Sequence, residues 1–141
     1  MKNLLITTML SATLTAATLA TPTTYLAGPA PAAVKATITR LYPTVKTVKY
    51  DKEGGDFEAG FTHNGKAMSV VLNAAGVVKE TETAITVVEL PTAVRTYLAK
   101  QMPGKKIKEA AEIVDANGVK KYEAEVGGKD YIFDSAGNLL R

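Results

Sequence analysis

Cysteine is absent from this chain, and histidine occurs once, at His63. Without cysteine there is no disulfide, no thiol nucleophile and no lipid anchor through an N-terminal cysteine, so the fold stands on its apolar core alone. A transition-metal site draws on several histidine or cysteine ligands, more than one histidine supplies. Nucleophilic catalysis needs a nucleophile held by a base and an orienting group. His63 adjoins Asn64-Gly65, where a solvated turn residue is the ordinary reading. Ser69 lies near it in sequence, but nothing visible supplies an oxyanion hole. A large excess of one charge is missing too. With Lys2 set aside, sixteen basic side chains stand against fourteen acidic ones, whereas nucleic-acid binders gather a basic excess on one face. The basic cluster Lys100, Lys105, Lys106 and Lys108 runs directly into Glu109 and Glu112 and reads as a solvated strand edge. Gly54-Gly55 and Gly127-Gly128 fall between expected strands, not before a helix, so neither is a phosphate loop.

Long apolar runs are scarce. The one at the N-terminus, Leu4 to Leu14 after Lys2, is softened by threonine and shorter than the ~20 residues a membrane span needs. With Thr18-Leu19-Ala20 behind it, residues 1–20 read as a secretory signal peptide, cut after Ala20 or after Ala27. Residues 21–30, with Pro22, Gly28 and Pro29, read as a flexible leader. The remainder is one domain's worth of chain.

What is present is a repeated order of blocks. Pro31-Ala-Ala-Val34-Lys35 returns as Pro91-Thr-Ala-Val94-Arg95, followed by Pro43 and Pro103 at equal distances. Phe57-Glu-Ala59 returns as Tyr122-Glu-Ala124, and Val70 to Gly76 as Tyr131 to Gly137. Such self-similarity predicts one supersecondary unit used twice, over 31–90 and 91–141. Val34, Ile38 and Leu41 lie at helical spacing, as do Val94 and Leu98, predicting helices over about 31–41 and 91–101. Pro31 and Pro91 suit a helix start, and Pro43 and Pro103 forbid continuation. Phe57, Ala59 and Phe61 alternate with polar neighbours, as do Tyr122, Ala124 and Val126, which is strand periodicity. Asn64-Gly65 is a hairpin signal. Strands are expected over Val45–Tyr50, Phe57–Thr62, Met68–Leu72 and Val77–Val88, then Ile107–Val114, Tyr122–Val126, Tyr131–Phe133 and Asn138–Arg141.

The predicted fold class is α+β: two tandem helix-plus-antiparallel-strand repeats forming one sheet, with helices packed on one face. The other face is left to water or a partner. If Phe57, Ala59, Phe61, Tyr122 and Ala124 face the helices, then Glu58, Val71, Lys121, Glu123, Glu125 and Ile132 face away and are the expected binding residues. Asp51, Glu53 and Asp56 share a loop, but not at the spacing of a twelve-residue calcium loop, and read as a solvated turn. Asp134 reads as an Asx turn.

The Pro-x-x-Val helix starts, the Tyr42-Pro43 and Met102-Pro103 helix ends, the Phe/Tyr-Glu-Ala strands, the Asn73/Asp134-x-x-Gly turns and Leu90-Pro91 together resemble the PepSY-like family of exported bacterial proteins. That family is similar in architecture to beta-lactamase inhibitor proteins. The likeness runs over about residues 30–141. It implies an exported, periplasmic or secreted, non-enzymatic module that recognises a protein or peptide, as an inhibitor or accessory of a periplasmic hydrolase. No cofactor, metal or nucleic acid is expected, and no stable membrane insertion after signal cleavage. The alternative is a small-ligand or ion carrier of the cell envelope, which needs a concave apolar pocket with converging polar groups.

Overall fold

A computed structural model describes residues 30–141. The expected signal peptide, and the leader as far as residue 29, lie outside the described residues; Ala30 is packed in the core. The elements run α1 (Ala32–Leu41), β1 (Lys49–Glu53), β2 (Asp56–His63), β3 (Lys66–Leu72), β4 (Val78–Ala84), a 3-10 turn (Val87–Glu89), α2 (Thr92–Gln101), β5 (Ile107–Asp115), β6 (Lys120–Val126) and β7 (Lys129–Asp134).

The expectation of two tandem helix-plus-strand repeats is corrected. Among the described residues, the chain forms a single seven-stranded antiparallel sheet in sequential order, accompanied by only two short helices. The physical reason is the pairing of β4 with β5. Glu80 lies opposite Asp115 and Ala84 opposite Ala111, so the backbone ladder runs unbroken past the point where the sequence blocks placed a boundary. The halves also differ. Residues 138–141, expected as a further strand, run beside β7 with backbone hydrogen bonds between Ile132 and both Leu140 and Arg141, but form no strand beyond the isolated bridge of Leu139 to Phe133. The strand expected over 77–88 ends at Ala84, and the chain turns at Val87–Glu89 before α2.

Each helix is positioned by its sequence. Pro31 and Pro91 are the residues just before α1 and α2, and their carbonyls accept the first helical hydrogen bonds from Lys35 and Arg95 N–H. Val34 and Ile38 pack on Ala59, Phe61, Val70 and Leu72, and Val94 and Leu98 on Ala110, Ala124, Val126 and Phe133. Strand register puts all these sheet residues on one face, so both helices cover the same side.

Three turns share one construction. Asn73 Oδ1 accepts from Ala75 and Val77 N–H, Asp115 Oδ1 from Asn117 and Val119 N–H, and Asp134 Oδ1 from Ala136 and Asn138 N–H. Each closes on a glycine at positive φ: Gly76, Gly118 and Gly137. Two of these turns also dock on helices. A Cβ at Gly76 would stand 2.6 Å from Ala33 O, and one at Gly137 would stand 2.5 Å from Ala93 Cβ. Thr37 Oγ1 donates to Gly76 O at 2.9 Å. The Asn64-Gly65 hairpin has φ of 50° and 75°, the left-handed pair that a tight primed turn requires.

Candidate functional site

The sheet face that carries no helix among the described residues is the candidate site. In antiparallel pairs, opposed residues share a face, so register assigns each side chain. Glu58 pairs with Val71, Val71 with Glu80, and Glu80 with Asp115. Gly60, Ser69, Glu82, Ile113 and Lys121 form the next row, and Ala84, Ala111, Glu123 and Ile132 the one after. Ser69, Glu82, Ala111, Ile113 and Ile132 are nevertheless buried. The face is concave where Leu140 and Arg141 border it at one end and the 44–47 loop at the other.

The concavity holds two adjoining depressions. The smaller, about 380 Å³, has an apolar floor of Val71, Ile113 and Ile132 with Glu80, Lys121, Glu123 and Arg141 around it. The larger, about 1100 Å³, runs from the Thr44–Thr47 loop over Glu58, Gly60, Ala67, Ser69 and Ala84. Glu82 pairs with Ser69 on one side and Ile113 on the other, so its backbone stands in the row between the two, although its side chain lines neither. It is 2% exposed, and its Oε2 has no hydrogen-bond partner. Ser69 Oγ is buried as well and makes no hydrogen bond of ordinary geometry. Its interaction with Glu58 opposes that carboxylate's upward shift without cancelling it.

Carboxylates dominate the face. Of the fourteen acidic residues, Glu89 lies in the 3-10 turn and Glu112 faces the helices beside Tyr122. All the others register onto the concave side. Burial, followed by the charges of Glu123, Glu58, Glu80 and Asp130, pushes Glu82 up to about 8. Burial, with Asp130 next, pushes Glu123 up to about 7. Glu58, Glu80 and Asp130 are also raised, each chiefly by burial. Cations at this face are largely engaged: Lys49 with Asp51 at 2.8 Å, Lys79 with Asp56 at 2.7 Å, and Lys108 with Glu125 at 3.2 Å.

The six residues singled out from alternation fall as follows. Val71, Lys121, Glu123 and Ile132 come together in the smaller depression, and Glu58 lines the larger. Glu125 lines neither and is ion-paired to Lys108. Ile132 is buried, and the other five are half-buried. Sequence reasoning missed Glu82, Ser69, Glu80, Ile113 and Arg141. Within β4, residues 79–83 read as uniformly polar, and only the strand's place in mid-sheet reveals that Glu82 is enclosed. His63 and Ser69 register onto opposite faces, which rules out a Ser–His pair; His63 lies edge-on to Tyr42 at 5.3 Å. Among the described residues, no group of three or more carboxylates and histidines is arranged to hold a metal ion.

This fold is found in solved structures. One is a protein of Bacteroides eggerthii described as periplasmic, with a TM-score of 0.74 and 21% identity over 81% of this chain and 88% of that one. A DUF2874 family protein of Bacteroides uniformis gives 0.72 and 23%, over 79% of this chain and 87% of that one. A BLIP-like protein of Bacteroides fragilis gives 0.65 and 24%, over 84% and 87%. The architecture is therefore that of DUF2874 and BLIP-like proteins. No protein-family model matches the sequence, and no curated protein matches it. No helix among the described residues is long and apolar enough to cross a membrane.

Proposed function

We propose that this protein is an exported, non-enzymatic module of the periplasm that recognises a protein or peptide on its concave sheet face. The observation that carries the reading is the open concavity, apolar at its floor and charged around it, in which Val71, Lys121, Glu123 and Ile132 meet. Glu58 and Glu125 flank it on the same face. Burying such a face against a partner supplies apolar contact at the floor and charge selection around it. The BLIP-like and periplasmic descriptions of proteins sharing the fold support the reading, as does the PepSY-like order of motifs. Within it, the role is that of an inhibitor or accessory of a periplasmic hydrolase.

The test is affinity capture from periplasmic extract, comparing the mature domain with a Glu58→Lys/Glu123→Lys/Glu125→Lys variant matched in thermal stability. A specific protein retained by the wild type and lost by the variant is the expected result. Retention by both would move the site to the loops or helices.

A second reading, a carrier of a small ligand, is favoured by one observation. The 380 Å³ depression sets an apolar floor beneath both cationic and anionic groups, which suits a small amphoteric molecule. A ligand screen that raises the melting temperature, with no protein captured, is the result this reading expects.

A further inference from the structure

The acidity of the concave face is a matter of placement, not composition. The whole chain carries a net +3, yet all its carboxylates except those of Glu89 and Glu112 register onto this one side. Clustered carboxylates alone explain nothing, because acidic strand residues are commonly solvated. Glu82 is different. It is 2% exposed, its Oε2 lacks any donor, and its backbone stands in the row between two depressions, although its side chain lines neither. Its neighbours in the row, Ser69 and Ile113, line the larger and the smaller depression respectively. Native structures rarely leave a buried carboxylate oxygen unpaired. A donor brought by a partner would complete that pairing, and the surroundings set its chemistry: a cation among carboxylates, on a stem that can lie along Val71, Ile113 and Ile132.

We infer that the partner recognised here is a protein with a basic segment, one lysine or arginine of which seats its cationic head on Glu82. The inference rests on the proposed recognition role of this face. Lysine and arginine carry the apolar stem and charged tip that such a site requires. Gly60, Ala67, Ser69 and Ala84 leave the larger depression low enough for the segment's backbone to approach. The groups facing Glu82 are Glu58 from β2, Ser69 from β3, Glu80 from β4, Ile113 from β5, Lys121 and Glu123 from β6 and Asp130 from β7. Burial first, and then the four carboxylates among them, favour the protonated form of Glu82 at neutral pH. An arriving cation reverses that balance, so seating it expels a proton.

The experiment is calorimetric titration of the mature domain with an N-acetylated, amidated pentalysine at pH 7, in two buffers of different ionisation enthalpy. Parallel titrations use the Nε-acetylated peptide, pentaglutamate and spermidine. The expected result is binding of pentalysine alone, with release of about one proton. Glu82→Gln should lower the affinity at least about tenfold and remove most of the proton release. Glu109→Gln, on the same face but lining neither depression, should change it less than about twofold. Equal loss in both variants would show diffuse charge attraction and overturn the seat at Glu82. Equal affinity for spermidine would overturn the protein segment in favour of a free polyamine. Failure of pentalysine to bind, while extract capture still depends on Glu58, Glu123 and Glu125, would discard the basic partner and leave the recognition role standing.

Discussion

Glu82 and Glu123 are the residues where the fold and the proposed function meet. Burial and neighbouring carboxylates disfavour the charged form of each, raising Glu82 to about 8 and Glu123 to about 7. An unfolded chain holds neither carboxyl above the ordinary range. The folded state therefore binds more protons than the unfolded state between the ordinary glutamate value and about 8, and stability falls as pH rises through that window. The wild-type melting temperature should drop between pH 5 and pH 9, with Glu82 contributing on the order of a few kcal/mol. Glu82→Gln keeps the shape and removes the charge. Calorimetry should find it close to wild type at pH 5 and distinctly more stable at pH 9. Parallel curves for the two proteins would mean that Glu82 does not titrate in this way. Nothing in the tripeptide Thr81-Glu82-Thr83 announces this behaviour, because a polar strand residue becomes a buried acid only once flanking strands close around it.

Among the elements, the turns tie the helices to the sheet. Gly76 and Gly137 both need positive φ and both press on a helix, whereas Gly118 has the same φ with open space around it. Gly118→Ala should cost about 1–2 kcal/mol for the left-handed backbone alone. Gly76→Ala should cost roughly 1–3 kcal/mol more, because its Cβ meets the α1 backbone at Ala33. Urea denaturation of the two variants checks the difference, and equal losses would contradict the docking. These local features were legible. Proline placement and the Val34/Ile38 and Val94/Leu98 spacings located both helices, and Asn64-Gly65 located its hairpin. The end of β4 was not legible, since the 3-10 turn that interrupts Val77–Val88 is held by Glu89. That carboxylate accepts from Thr86 N–H and Thr86 Oγ1 and pairs with Lys66, contacts that exist only in the folded chain.

At the scale of the whole molecule, matching blocks in the sequence suggested two tandem helix-plus-strand repeats sharing one sheet, while the described residues are mostly one seven-stranded sheet with two short helices. Local similarity records which residues face a helix; it does not record which strand edges join, and the β4–β5 pairing decides the architecture. The face assignment followed from alternation, so Val71, Lys121, Glu123 and Ile132 could be named together. The hollows on their face are bordered by segments distant in sequence, Leu140 and Arg141 at one end and the 44–47 loop at the other, and alternation carries no trace of that. The central claim is that a protein partner occupies this concavity. Methyl NMR of the mature domain, with and without the partner captured from periplasmic extract, tests it most directly. The account predicts shifts at Val71, Ile113 and Ile132, with Val34, Val94 and Val70 beneath the helices unmoved. Shifts confined to α1, α2 or the turns that dock on them, with Val71, Ile113 and Ile132 silent, would contradict it.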